Sequence, residues 1–334
     1  MKAIVFTEYG SPDVLHIEER PTPTPKDNEI LIRVCAAAVN YGDTAGRNFG
    51  AITPRTFNMP GFLWLPARLS FGWSKPRRAI QILGNEFSGV VEAVGKEVTL
   101  FKVGDPVFGY RGPNFGAYAE YLCMRENDTV ALKPANMSYE EAATVPYGSL
   151  MALGLLKLGQ IQRGQQVLVN GASGGMGSYV VQLAKHYGAE VTGVCGTPRL
   201  DFVKALGADH VIDYTQEDFT HNGKTYDLIF DILGRSSFAH SKKSLTATGR
   251  VLYASFKTRQ LLQMLWTWIT RRSQRVICAM TSAKRDTLIE AQRLVEAGTL
   301  KTIVDRCYPM AQAADAHCYV EDGHKQGHVV ITMG

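Results

Sequence analysis

The sequence predicts an α/β protein in two parts, a barrel-like β domain and a doubly wound parallel sheet, and three observations carry that reading. At 334 residues the chain is too long for one ordinary core and suits two. Its first third consists of short β-type runs separated by Pro, Gly, Asp and Asn clusters. From Gln166 onward apolar strands alternate with helical stretches, the pattern of a parallel sheet with helices on both faces.

The β-type runs are "AIVFTE", "EILIRVCAAAVN", "FSGVVEAVG" and "AYAEYLCM", punctuated by "RPTPTPKDNE" and "KVGDPVFGYRGPNFG". Near Leu132 the texture changes. "MSYEEAATVPYGSLMALGLLKLG" has helical spacing, with Ser138 as N-cap and Glu141 three residues on, a capping box. The strands that follow are "QVLVNG", "EVTGVCG", "HVIDY", "YDLIFDILG", "GRVLYAS" and "RVICAM". "TLIEAQRLVEAG" is a further helix with Leu288, Ala291, Gln292 and Val295 on one face and Gly298 as its stop. "TIVDRCYPM" and "GHVVITM" read as strands returning to the β domain.

Composition narrows the function classes. The net charge of +5 is mild and the basic residues are spread out apart from Arg77–Arg78 and Arg271–Arg272, which suits a small anionic ligand and does not call for nucleic acid. None of the six cysteines forms a C-x-x-C pair and most lie in apolar runs, so buried reduced thiols are expected. The start, "MKAIVFTEYG", alternates like a strand and has no signal-peptide cleavage site, and no apolar run is long enough to span a bilayer. A cytoplasmic protein without a membrane span is the expectation.

"GASGGMG" follows a strand and opens a helix, with Gly171, Gly174 and Gly177 in G-x-x-G-x-x-G spacing. Such a loop turns sharply out of the strand, lets the backbone approach a pyrophosphate, and packs helix close to strand. The helix is amphipathic, with Val180, Leu183, Ala184 and Tyr187 on one face, and stops at Gly188. Strand, helix and second strand fall where a dinucleotide site needs them. That second strand ends on Cys195 and Gly196, where an acid would take a ribose 2′-hydroxyl. Thr197 and Arg199 stand there instead, a hydroxyl and a guanidinium suited to a 2′-phosphate, with Tyr214 over the same pocket. NADPH is the expected cofactor; the alternative for Arg199 is a solvated residue at a helix start.

Seven segments, among them "AAAVNYGDTAGR", "LGNEFSGVVEAVGKEVTLFKVGDPVFGY", "KPANMSYEEAATVPYGSLMAL", "LGADHVIDYTQEDF" and "EDGHKQGHVVITM", resemble the medium-chain dehydrogenase/reductase superfamily in order and over nearly the whole chain. Within it the chain is similar to the zinc-independent quinone-oxidoreductase branch and its NADPH-dependent alcohol-dehydrogenase-like relatives. The resemblance implies a GroES-like catalytic domain at residues 1–130 and 285–334 around a Rossmann domain at 131–284, a substrate cleft between them, and a homodimer formed edge to edge through the nucleotide domains. "YASFKTRQLLQMLWTWITRRSQRVICAM" would lie near that interface, with Trp266 and Trp268 packing the dimer, walling the pocket or filling core. Ser173, Gly174, Gly175 and Met176 match the pyrophosphate loop. Leu233 and Gly234, and Ala254 to Phe256 around Ser255, match loops bordering the nicotinamide. Lys325 matches a lysine near the cofactor, a plain surface lysine being the alternative. Tyr147 is expected to face the cleft.

Zinc members of the superfamily place a Cys where this chain has Asn40 to Gly42, and a His where "GNE" has Asn85. Carboxamides lack the charge and softness of thiolate and imidazole, and His240, His317, His324 and His328 have no partner at metal spacing, so no metal is expected. What survives is hydride transfer to an acceptor already electrophilic by conjugation, a quinone or an α,β-unsaturated carbonyl. By resemblance Asn40, Asp43 and Arg47 flank the nicotinamide. Quinone reductases carry a tyrosine where this chain has Ala45; Tyr41 stands nearby as substitute or as a packed ring. The rival readings are a metal-free NADPH-dependent carbonyl or alcohol dehydrogenase, and a non-catalytic nucleotide sensor or scaffold. The insertion from Asn48 to Ile82, with "FLWLPARLSFGW", is expected to wall an apolar substrate or to dock on a membrane or partner.

Overall fold

The computed structural model describes residues 1–323 and 325–334; His324 lies outside them. The chain opens with the antiparallel pair β1 (Lys2–Val5) and β2 (His16–Glu19). The long β3 (Glu29–Val39) runs into α1 (Tyr41–Arg47), then α2 (Trp64–Phe71), β4 (Glu86–Val94), β5 (Pro106–Tyr110), β6 (Tyr121–Arg125) and β7 (Val130–Leu132). Helices α3 (Tyr139–Ala143) and α4 (Pro146–Gly159) lead into β8 (Gln166–Asn170), α5 (Gly175–His186), β9 (Glu190–Cys195), α6 (Leu200–Ala205) and β10 (His210–Asp213). There follow β11 (Tyr226–Asp231), α7 (Phe238–Ser241), β12 (Leu245–Tyr253), α8 (Thr258–Ile269), β13 (Arg275–Cys278), α9 (Arg285–Glu296), β14 (Val304–Pro309), α10 (Ala313–Glu321) and β15 (His328–Thr332).

Six strands form one sheet in the order β10-β9-β8-β11-β12-β13, and every neighbouring pair is parallel. Its strands are apolar on both sides. Val167 and Val169 of β8 join the core under α4, α5 and α9, while Leu168 between them joins the core on the opposite face with Ile229 and Val251. The period of two thus divides one apolar run between two interiors, as a sheet covered on both faces requires.

The second sheet runs β14-β15-β3-β4-β5-β7, with β6 also on β3. β15 pairs antiparallel with β3, Val329 opposite Val39, so the last strand does return to the β domain.

Three sequence expectations change. The helical stretch after Met137 is two helices: the Ser138–Glu141 capping box starts α3, and α4 restarts with Pro146 in its first turn, where a missing N–H costs nothing. Helix α8 occupies a segment whose apolar residues follow no inward stripe. Of the six free cysteines, Cys195 is buried as expected, but Cys307 and Cys318 are exposed.

The insertion folds onto the β domain. Phe49 stacks on Phe71 with centroids 4.4 Å apart, Phe71 meets Phe115 edge-on, and Trp64 Nε1 donates to Ile52 O at 2.8 Å.

Candidate active site

Loops after three parallel strands meet at one edge of the nucleotide sheet. Gly171, at φ +93°, turns the chain out of β8 in a conformation L side chains rarely adopt. A Cβ on Gly177 would lie 2.1 Å from Gly171 O, so only glycine lets α5 sit directly on the loop. Helix α5 has Gly174 as N-cap and no side-chain cap, which leaves its first-turn amides open to an anion. Leu233 lies beside Gly171, 3.5 Å from where its Cβ would be, and Gly234 abuts Ser255 O. Buried Asp231 organises this corner: its carboxylate accepts from the amides of Leu233, Gly234 and Ser236 at 2.9–3.1 Å. Ser255 Oγ in turn donates to Asn58 O of the insertion at 3.0 Å, joining the two sides of the cleft. Within the loop Gly174 is exposed, Ser173 and Gly175 are partly buried, and Met176 packs against the nucleotide-domain core.

The far end of the nucleotide groove gathers Thr197, Arg199 and Tyr214. The Tyr214 phenol oxygen lies 3.3 Å from where a Cβ on Gly196 would be. Two features were not foreseen. Asp213 accepts from the Thr197 hydroxyl at 2.5 Å and from the Thr215 amide and hydroxyl, and these bonds hold its carboxyl below the usual range. Arg199 donates to the carbonyls of Lys325 and Gly323, tying the guanidinium to the loop before β15.

Across the cleft, Asn40 caps α1. Its Oδ1 accepts from Gly42 N at 2.8 Å, and its Nδ2 donates to Asn85 Oδ1 at 2.7 Å and Glu86 Oε2 at 3.0 Å. Both amide hydrogens are therefore engaged. Glu86 is buried and also accepts from Tyr147 N at 2.7 Å; burial above all pushes its carboxyl up to about 8. Asp43 does not face the cleft. It is fully buried, accepts from Asn40 N and Gly84 N at 3.0 Å, and burial outweighs these bonds to push it up to about 7. Asp43 thus completes the capping box and positions Asn40. Arg47 also points inward, binding Gly10 O, His317 and Glu321. Tyr41 is not a packed ring: 62% of its surface is open at the first turn of α1. Tyr147 lies half-buried with its ring 5.8 Å from that of Tyr110, and burial first, then Glu86, raises its phenol to about 12.

The β3–β15 pairing joins the two halves of the site. Val39 opposes Val329, so Asn40 and His328 are neighbours across adjacent strands. The His328 ring reaches the glycine loop, with Cε1 3.3 Å from where a Cβ on Gly175 would be. Burial, then Lys325, lowers its pKa to about 3, which keeps it neutral. Lys325 is half-buried; burial, then Arg199, draws its ammonium down, while Asp305 and Glu86 oppose. Sequence reasoning missed His328, Glu86 and Asp231. The only local signal was the position of each at a strand end next to an expected loop.

A doubly wound sheet with a glycine loop, facing a polar cluster on a second domain, defines a dinucleotide-dependent oxidoreductase. Residues 26–134 match the family model described as an alcohol dehydrogenase GroES-like domain, and residues 206–331 that described as a zinc-binding dehydrogenase. A 2-methylene-furan-3-one reductase of Solanum lycopersicum is 32% identical over 350 residues, 99% of this chain and 79% of that protein. A chloroplastic NADPH-dependent alkenal/one oxidoreductase of Arabidopsis thaliana is 31% identical with the same coverage. The quinone oxidoreductase from Coxiella burnetii superposes with a TM-score of 0.83 at 30% identity, over 100% of this chain and 99% of that one. The chain belongs to the medium-chain dehydrogenase/reductase superfamily.

Proposed function

We propose that the protein is a zinc-independent, NADPH-dependent oxidoreductase that delivers hydride to a quinone or an α,β-unsaturated carbonyl. The observation that carries this reading is the Asn40–Asn85–Glu86 cluster beside the glycine loop. Two neutral carboxamides occupy the positions a metal site would give to thiolate and imidazole, and Asn40 has already committed its donors. By fixing the Asn85 oxygen, Asn40 leaves Asn85 Nδ2 as an amide donor without a partner among the described residues. Such a donor suits a negative charge developing on an acceptor oxygen. One neutral amide polarises far less than a cation, so the acceptor has to be activated by its own conjugation. The names of the relatives, alkenal/one oxidoreductase, methylene-furanone reductase and quinone oxidoreductase, support that acceptor class.

The residues fit the cofactor: the glycine loop is a cradle that a Cβ at Gly177 would fill, and α5 opens on it uncapped. Gly171 to Gly177 would hold the pyrophosphate, Leu233 and Ser255 would border the nicotinamide, and Thr197, Arg199 and Tyr214 would meet the 2′-phosphate. When bound, the dinucleotide supplies the hydride. Asn85 Nδ2 receives the acceptor oxygen. Glu86 stays protonated near neutral pH, which spares that oxygen a neighbouring negative charge. Tyr41, with its open hydroxyl on the first turn of α1, or solvent returns the proton that completes a hydroquinone or saturates the enone.

The two sheets support a catalytic domain wrapped around a nucleotide domain. Leu288, Ala291 and Val295 pack in the nucleotide-domain core, so we place the second crossing after α9, near residue 300. β13 pairs only with β12 and leaves an edge for a homodimer. No described helix is long and apolar enough to cross a membrane.

The test is NADPH consumption by chelator-treated protein offered a quinone and an enone in parallel, with Asn85→Ala alongside. We expect turnover with at least one acceptor and a loss of about 10²-fold in kcat/KM for the variant, as for removal of one oxyanion donor. Absence of turnover with NADPH binding intact sinks the hydride reading. Activity lost on chelation and restored by zinc sinks its metal-free part.

A further inference from the structure

Tyr147 stands where the two halves of the site meet. Its amide donates to Glu86 Oε1 at 2.7 Å, and the other oxygen of that carboxyl takes Asn40 Nδ2, the same nitrogen that fixes Asn85. One buried carboxyl therefore sets both Asn85 and the first turn of α4. Gly148, the next residue, closes the other side. A Cβ there would lie 2.7 Å from Gly175 O and 2.5 Å from the Tyr179 ring, so α4 begins directly against the glycine loop. Tyr147 is thereby held between the Asn85–Glu86 corner and the first turn of α5.

Its side chain is left free on this spot. Tyr110, opposite Glu86 on β5, packs against the nucleotide-domain core and backs the Tyr147 ring at 5.8 Å. A tyrosine drawn into a protein ordinarily finds a partner for its hydroxyl, as Tyr118 does at His317 and Tyr179 at Thr144 O. The Tyr147 hydroxyl has no partner among the described residues, and unlike those of Tyr226 and Tyr253 it is not sealed from solvent. Burial first and Glu86 second raise its pKa to about 12, so it keeps its proton near neutrality.

A carbonyl or quinone oxygen has two lone pairs, and Asn85 Nδ2 meets one of them. We propose that the Tyr147 hydroxyl is the second donor to the acceptor oxygen, completing with Asn85 a two-donor site for the charge that develops on it. The inference rests on the hydride reading above and adds a catalytic residue to it. Tyr147 donates a hydrogen bond and keeps its proton, so its part of the step consumes no further reactant. Both donors are neutral, and the acceptor still has to be activated by its own conjugation.

The experiment is single-turnover reduction of an enone and of a quinone by the NADPH-loaded parent and Tyr147→Phe, followed by loss of NADPH absorbance. Phe keeps the ring beside Tyr110, and the bond to Glu86 is made by the backbone. The hydride-transfer rate of the variant should fall about 10- to 100-fold with whichever acceptor the parent reduces. The loss should appear in kcat with KM nearly unchanged, as for an interaction made only in the transition state. NADPH affinity and melting temperature should match the parent. An unchanged rate in the variant beside an active parent overturns this inference and leaves the hydride reading standing. A parent inactive towards both acceptors overturns the two together. A rate loss matched by weaker NADPH binding or a lower melting temperature makes Tyr147 a packing residue and also overturns the inference.

Discussion

Asn40 shows how one side chain changes meaning between sequence and structure. The spacing of Asn40, Asp43 and Arg47 pointed to three groups around a nicotinamide. In the fold the first two form a capping box, and the third ties α1 to the C-terminal helix through Glu321. The N-x-x-D pattern was legible; which of its polar atoms stay free was not, because that depends on Asn85 and Glu86 arriving from β4. The nucleotide end offers a second case. Thr197 and Arg199 were singled out by their position after β9 and Tyr214 by its position after β10, whereas Asp213, next to Tyr214, was passed over because its bond to Thr197 depends on β10 pairing with β9. A carboxylate held ionised there opposes a 2′-phosphate. Asp213→Asn should raise affinity for NADPH over NADH by a few-fold, and Arg199→Glu should lower it by about tenfold, since exposed charge pairs are worth up to about 1 kcal/mol and a reversal counts twice. Fluorescence titration with both dinucleotides measures this. No change in NADPH affinity for Arg199→Glu would remove the 2′-phosphate assignment.

Among the elements, those with local signals were read well. The glycine loop opening α5, the Ser138 cap of α3 and the inward face of α9 depend on neighbours a few positions apart. The loop sets a sharp expectation. A methyl at Gly177 would meet Gly171 O at 2.1 Å, and the backbone on both sides is packed. Gly177→Ala should therefore destabilise the nucleotide domain by about 1–3 kcal/mol and lower dinucleotide affinity together. Thermal unfolding with and without NADPH tests it; a variant with parental stability and affinity would mean the helix can move off the strand. Helix α8 was passed over although its signal is as local as theirs. Its Leu262, Leu265, Trp266 and Ile269 do stand at helical spacing, but only the fold shows that this stripe faces outward while Gln260 and Thr267 are buried.

At the scale of the molecule, alternation of strand and helix was enough to foresee the parallel sheet, whose neighbours β8 to β13 are close in sequence. The catalytic corner was not foreseeable in the same way, because its register rests on β15 meeting β3. Its buried acids leave a mark on global stability. Glu86 and Asp43 have folded pKa values raised to about 8 and about 7, so the folded state binds their protons more tightly than the unfolded chain. Their contribution is fully present below the ordinary carboxylate range and is lost as pH climbs towards 8. Melting temperature should fall across that window, and Glu86→Gln should flatten part of the fall. Parallel profiles for variant and parent would mean Glu86 is ionised in the folded protein.

The pairing of β15 with β3 also orders events in time. The six strands of the nucleotide sheet have all been synthesised by residue 278, and they can pair while the remainder of the chain is still being made. Strand β3 is made before any of them, yet one of its edges waits for residues 328–332. A chain in synthesis can therefore pair the sheet beneath the glycine loop before α9 reaches its core and before β15 covers the edge of β3.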